Sequence, residues 1–214
     1  MLEIMQYSKV KKYKRYFTTD LNTNSKLYFD KDLLHQIPFE VKDELGVILK
    51  YIYKLKSEEL VEIKQLIYKK DLLAGYSIKN YKEYKSLKKL SNRKFELKKN
   101  DCFKIVQIFN DLAYNNLFYS DFHLGNILLN PNTAEIKVCD IDGFSIKTRE
   151  KLNKDDLQKL LILILSYLYN IKEFDIRNVI YSSGIDISDS FIDYCCMSKR
   201  DITIEKIYEI INEI

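Results

Sequence analysis

A chain of 214 residues with 46% hydrophobic and 31% charged side chains can build one large domain or two small lobes, with an ordinary globular balance. Its 35 basic residues are interleaved with 31 acidic ones, so the net charge of +4 comes with no basic arm and argues against nucleic acid as a partner. The most apolar run, Leu160 to Leu165, is far short of the roughly 18 to 20 residues of a membrane span, the order of charges at Met1 to Met5 is wrong for a secretion signal, and Cys102, Cys139, Cys195 and Cys196 lack metal-ligand spacing, so a cytoplasmic protein with reduced thiols and no membrane partner is expected.

Glycine and proline are scarce, five and two, and punctuate the chain. Lys26 to Phe29 and Leu33 to Ile37 read as short strands around the turn Asp30-Lys31-Asp32, and Pro38 ends the second. From Phe39 to about Leu55, the residues Val41, Leu45, Ile48, Ile52 and Leu55 recur at three- and four-residue spacing, which predicts an amphipathic helix. Glu44 then falls on or beside the apolar face, where its charge needs a cation, a polar site or water. Glu62 to Tyr68 and Gly75 to Tyr81 are two further strands, separated by the turn Lys69-Lys70-Asp71 and a connector, Leu72 to Ala74. A shift to helical composition at residues 82 to 86 predicts two domains, 1–82 and 83–214.

Beyond that boundary, Cys102 to about Asn116 predicts a helix with Asp101 as its N-cap. Ile127-Leu128-Leu129 and Ile136-Lys137-Val138-Cys139 flank the turn Asn130-Pro131-Asn132-Thr133 and predict a hairpin. Leu157 to Tyr169, capped by Asp155-Asp156 and apolar nearly all round, predicts a helix in the middle of a lobe. Polar turns and amphipathic helices through Phe191 to Tyr194 and Ile204 to Ile214 complete that lobe.

Two acidic clusters sit at the ends of the predicted hairpin. Asp121-Phe122-His123-Leu124-Gly125-Asn126 enters its first strand, and Asp140-Ile141-Asp142-Gly143-Phe144 leaves its second. Matched antiparallel strands place Asn126 beside Asp140, within reach of a shared metal. An aspartate, an asparagine five residues on and a second aspartate fourteen beyond that are the groups that orient a hydroxyl and hold magnesium on ATP.

This order of elements, with the Asp121 to Asn126 motif, resembles the protein-kinase-like phosphotransferase superfamily. Its catalytic loop is similar to those of aminoglycoside-phosphotransferase-like and atypical bacterial or phage kinases, and Gly75-Tyr76-Ser77-Ile78 resembles the approach to their hinge. The resemblance covers roughly residues 25 to 170 and is most specific from Phe118 to Phe144. It implies an α+β, two-lobed fold with a reduced, mainly β N-lobe and a mainly helical C-lobe. ATP and Mg2+ are the implied cofactors, and the implied reaction moves the γ-phosphate to a hydroxyl acceptor, protein or small molecule. By resemblance Asp121 is the catalytic base, Asn126 and Asp140 hold the metal, and Asp142 is a second ligand or itself the metal-loop aspartate. Gln36, Glu44, Lys79 and Tyr81 fall at cofactor-binding positions, and His123 braces the loop.

The chain also departs from the family pattern. Its first glycine is Gly46, so no glycine-rich loop precedes the first hairpin, and Gln36 stands where the phosphate-binding lysine belongs, with Lys26 or Lys31 as substitutes. Ser120 replaces the arginine of the His-Arg-Asp pattern, and no long activation segment fits between Phe144 and Asp155. A second expectation is therefore a pseudokinase, a nucleotide-binding or protein-interaction module on the same fold. A metal-dependent phosphoesterase with Asp121, His123, Asp140 and Asp142 as ligands fits poorly in a chain with two histidines.

Overall fold

The computed structural model describes residues 4–6, 16–17, 25–30, 33–38, 43–90, 92–149, 151–171, 193–194 and 196–214. The chain is mixed α+β and divides into two units, Met1–Lys82 and Glu83–Ile214.

The first unit is a six-stranded sheet with one helix. Its strands are β1 (Ile4–Gln6), β2 (Tyr16–Phe17), β3 (Ser25–Asp30), β4 (Leu33–Pro38), β5 (Ile63–Lys69) and β6 (Leu72–Lys79), in the order β1-β5-β6-β4-β3-β2. All neighbours are antiparallel except β1 on β5. Helix α1 (Asp43–Leu55) packs on β5. Its buried Ile48, Leu49 and Ile52 meet the periodicity argument, and each buried aliphatic side chain contributes about 1.5–3 kcal/mol. Of the segment from Phe39, residues 39–42 lie outside the described ones.

The β5–β6 hairpin corrects the sequence reading. Leu72 to Ala74 is not a connector: β6 begins at Leu72, because Lys70 and Asp71 both take left-handed backbone (φ 50 and 64) and close a tight two-residue turn. The register shifts between Ile67↔Gly75 and Tyr68↔Leu73, leaving Ala74 as an extra residue on β6. The strand ends at Lys79, two residues before Tyr81.

The second unit is built on α2 (Phe95–Tyr114), α3 (Lys154–Tyr169) and α4 (Ile204–Glu213). Helix α2 begins seven residues earlier than the sequence suggested, and Asp101 is inside it, not at its cap. Asp101 is 1% exposed and accepts from Arg93 Nε (2.7 Å), Arg93 Nη2 (3.3 Å) and Tyr167 Oη (2.9 Å). Arg93, just before the helix, and the distant Tyr167 thus hold a carboxylate that local chemistry had assigned to a helix start.

Helix α3 also starts earlier than predicted. Asn153 is its N-cap, accepting from Asp156 N (2.8 Å), while Asp156 Oδ2 accepts from Asn153 N (3.2 Å), a reciprocal capping box. Its buried Leu160, Leu161, Leu163, Ile164, Leu165 and Leu168 surround the helix, as its all-round apolarity requires. Helix α4 is capped by Thr203, which accepts from Lys206 N (3.1 Å), and buries Ile207, Ile210 and Ile211. Phe191 and Ile192 lie outside the described residues.

Two small sheets complete this unit. Strands β7 (Lys85–Ser86), β9 (Ile127–Leu129) and β10 (Ile136–Val138) form one, in the order β10-β9-β7. Strands β8 (Leu117–Tyr119) and β11 (Phe144–Ile146) form the other. The β9–β10 turn is held by Asn130, whose N donates to Glu135 O (2.9 Å), whose O accepts from Ala134 N (2.9 Å) and whose Oδ1 accepts from Asn132 N (3.0 Å). Among the described residues no helix is long and apolar enough to cross a membrane.

Candidate functional site

Three local structures converge on one short stretch. Buried strand β8 delivers the chain to Ser120 and exposed Asp121, β9 starts after Asn126, and β10 ends just before Cys139 and Asp140. The register Val138↔Ile127, with Cys139 N donating to Asn126 O (2.9 Å), carries Asp140 alongside Asn126. Strand β11 then runs back along β8 with Phe144 opposite Tyr119. The acidic segments are therefore tied together from both sides by backbone pairing.

The floor beneath the loops is aromatic. Phe122 turns away from its charged neighbours and packs on Phe109 (ring centroids 4.6 Å) and Tyr119 (5.7 Å), and Tyr119 lies 4.6 Å from Phe144. The Tyr119 hydroxyl donates to Cys139 O (3.3 Å). Burial first, and then the charge of Asp140, push that hydroxyl far above the ordinary tyrosine range, so it stays a donor.

Ser120 joins the two loops. Its backbone N and its Oγ both donate to Gly143 O, each at 2.9 Å, and Gly143 N donates to Asp140 O (3.0 Å). Lys159 Nζ on α3 donates to Ser120 O (3.2 Å). Neither Ser120 nor Lys159 was legible as a site residue, because their partners are backbone carbonyls of remote segments.

The polar centre is the amide of Asn126, which is 8% exposed. Its Nδ2 donates to Asp121 Oδ2 (2.9 Å), Asp121 O (3.3 Å) and Asp140 Oδ2 (3.4 Å). Two carboxylates facing one amide demand its NH2 end, so Oδ1 is the atom left for a ligand. His123 accepts from Gly125 N at Nδ1 (3.0 Å) and sets Nε2 3.3 Å from Asp121 Oδ2.

Asp140 takes left-handed backbone (φ 60, ψ 69) at the start of a short 3-10 turn, Ile141–Gly143, that presents Asp142 to solvent. Burial, then the charges of Asp142 and Asp121, push the Asp140 carboxyl up from 3.8 to about 6. Cys139 is not a nucleophile at neutral pH: burial pushes its thiol up to about 12, and Sγ donates to Asn126 O (3.2 Å).

Gly143 is required by close approach. A Cβ there would lie 2.7 Å from Tyr119 Cε2 and 3.3 Å from Asp121 Cβ. Gly143→Ala is expected to destabilise the unit by about 1–3 kcal/mol through overpacking, measurable as a lowered thermal midpoint. An unchanged midpoint would mean that the Tyr119 ring moves aside at no cost.

The predicted positions of the first unit form no such cluster of carboxylates. Gln36 lies in β4, opposite Leu27 on β3 and Tyr76 on β6. Lys26 pairs with Ile37 across the β3–β4 hairpin, and Lys31 is outside the described residues. Glu44 is exposed in the first turn of α1, so water meets the charge that the helical periodicity had placed at the apolar edge. Lys79 and Tyr81 come together: the ammonium is 5.8 Å from the ring centroid, and the Tyr81 hydroxyl accepts from Glu62 N (2.9 Å).

The structure thus brings together Asp121, Asn126 and Asp140, with Asp142 adjoining, as a surface of hard oxygen donors. Among the described residues no three His, Cys, Asp or Glu side chains form a group that could hold a metal ion by themselves, which leaves the four-ligand phosphoesterase arrangement without support. Compared with protein-family models and with curated proteins, the sequence gives no match.

Proposed function

We propose that the chain is an atypical ATP-dependent phosphotransferase with a protein-kinase-like, two-lobed fold, moving the γ-phosphate of ATP to a hydroxyl on a protein or small molecule. The observation that carries this reading is the single amide of Asn126 holding Asp121 and Asp140 together, one carboxylate exposed and base-capable, the other pushed up to about 6 by burial and then by the charges of Asp142 and Asp121. Such mutual repulsion costs stability, and a cation relieves it.

The residues fit Mg2+. One or two carboxylates and an amide oxygen, too few for a closed cage, are the donor set of an ion that arrives with nucleotide phosphates. Asp140 and Asn126 Oδ1 would hold it, with Asp142 adjoining. Bound there, the ion supplies charge neutralisation to the phosphate oxygens.

The remaining work falls to the chain itself. Asp121 accepts the proton of the attacking hydroxyl as its oxygen bonds to the γ-phosphorus and the bond from that phosphorus to the bridging oxygen breaks, releasing ADP. Asn126 keeps Asp121 and Asp140 at fixed separation. The Tyr119, Phe122 and Phe144 floor fixes both loops, so little reorganisation accompanies the reaction.

Calorimetric titration with a non-hydrolysable ATP analogue, with and without Mg2+, tests the reading. Magnesium-dependent binding is expected. Asp121→Asn should leave analogue affinity within about twofold and lower turnover by about 100-fold or more, the scale of a lost general base. Two features favour the pseudokinase instead: Gln36, which by resemblance stands at the lysine position, is in β4, and the first glycine, Gly46, is inside α1. Absence of analogue binding in both conditions would select that alternative in its protein-interaction form.

A further inference from the structure

We propose that His123 is a positioning residue for Asp121: held as its Nε2–H tautomer by the Gly125 backbone, it fixes one carboxylate oxygen and turns the other toward the acceptor hydroxyl. This rests on the phosphotransferase reading and adds a residue to it.

The tautomer follows from the bonds. Gly125 N–H donates to Nδ1 at 3.0 Å, so Nδ1 carries a lone pair and the neutral ring has its proton on Nε2. Nε2 faces Asp121 Oδ2 at 3.3 Å. Asn126 Nδ2 donates to that same oxygen at 2.9 Å. The Asn126 hydrogen bond and the Nε2 contact therefore meet on Oδ2, and rotating the carboxylate would break the one and lose the other. The lone pairs of Oδ1 are the ones these two contacts leave over.

Gly125 makes the arrangement sterically accessible. A Cβ on it would lie 2.8 Å from both His123 Nδ1 and Cε1, so the ring lies over a backbone that only glycine leaves open. On the other side Phe122 is anchored in the aromatic floor. The imidazole is thus tied to the Gly125 backbone and acts through Asp121, with no contact to the transferred phosphate assigned to it.

Two substitutions separate the halves of the role. His123→Asn keeps an acceptor near Gly125 N–H but has no donor at the Nε2 position, whereas His123→Gln puts an amide nitrogen there. With ATP hydrolysis by the protein alone as the assay, His123→Asn is expected to lower kcat by about 10- to 100-fold, the cost of a misplaced catalytic group. KM for ATP and the analogue Kd should stay within about twofold. His123→Gln is expected to recover at least about tenfold of that loss by restoring the second donor to Oδ2.

A readout independent of turnover completes the test. The chain has only His35 and His123, so long-range proton–nitrogen spectra of wild type and His123→Gln identify the His123 ring at mildly alkaline pH. The Nε2–H tautomer is expected. An Nδ1–H ring, wild-type kcat in His123→Asn, or a His123→Gln no better than His123→Asn would overturn the proposal. Failure of the wild-type chain to bind the Mg2+–analogue pair would instead overturn the phosphotransferase reading beneath it. Where the wild type binds but hydrolyses no ATP, the ring tautomer decides alone: an Nδ1–H ring overturns the positioning role and an Nε2–H ring supports it.

Discussion

Replacing Asp140 with asparagine is expected to abolish Mg2+-dependent nucleotide binding and, in the same protein, to raise the stability of the Glu83–Ile214 unit at neutral pH. The side chains are nearly isosteric, and asparagine tolerates the left-handed backbone at this position as well as aspartate does. What changes is charge. The Asp140 carboxyl is raised from 3.8 to about 6 by burial and by Asp142 and Asp121. A carboxyl whose folded value lies above its unfolded one binds its proton more tightly when folded. Its contribution to stability is therefore fully present below about pH 4 and is lost as pH rises through about 6.

Asp140→Asn should show no advantage near the lower end of that window and a growing one across it, level above about pH 7. Because solvent still reaches Asp140, the gain at neutral pH is about 1–2 kcal/mol, less than the full shift implies. Thermal melts across this range check the sign, and calorimetry with the ATP analogue checks the ligand role. In wild type, analogue affinity should fall about tenfold per pH unit below about 6, as a proton competes for the carboxylate. A variant that binds nucleotide with Mg2+ as wild type does would remove Asp140 from the metal-holding set.

Asp101→Ala carries the largest expected loss of stability. The carboxylate is 1% exposed, and it accepts from Nε and Nη2 of Arg93 and from the Tyr167 hydroxyl. Arg93, 11% exposed at its side chain, cannot release its proton, so the substitution leaves a charge largely out of water with its carboxylate removed. Breaking one side of such a pair costs about 3–5 kcal/mol, which for a chain of this size lowers the thermal midpoint by about 10 °C. Burial and the charge of Asp101 push the Tyr167 hydroxyl far above its ordinary range, so it remains protonated and is also orphaned. Asp101→Asn, which keeps an acceptor, should lose roughly half as much. With no tryptophan in the chain, far-ultraviolet circular dichroism is the suitable probe. A loss below about 1 kcal/mol would show that Arg93 finds water when its partner is removed.

These two sites answer to opposite demands. At Asp101 three donors compensate one buried carboxylate, and charge there serves the fold. Around Asp140 carboxylates crowd one another, a cost in stability that the proposed cation would offset. Asp101 and Asp140 look alike in the sequence, and only the partners supplied by distant segments distinguish them.

What could be read without a structure was whatever is encoded locally. The β9–β10 hairpin announced itself because Asn130 to Thr133 is a turn whose hydrogen bonds close within a few residues. The neighbourhood of Asn126 and Asp140 followed from strand register alone. Helices α1 and α3 showed in their apolar patterns, which depend on spacing and not on partners. The tertiary structure decided the rest. Strands β8 and β11 are three residues each, too short for periodicity, yet their pairing joins the two acidic loops. Asp101 was taken for a helix cap because capping is local, while its partners are Arg93 before the helix and Tyr167, 66 residues away. The hold of His123 and Asn126 on a single oxygen of Asp121 arises from a folded loop over Gly125, a geometry that residue order alone does not specify.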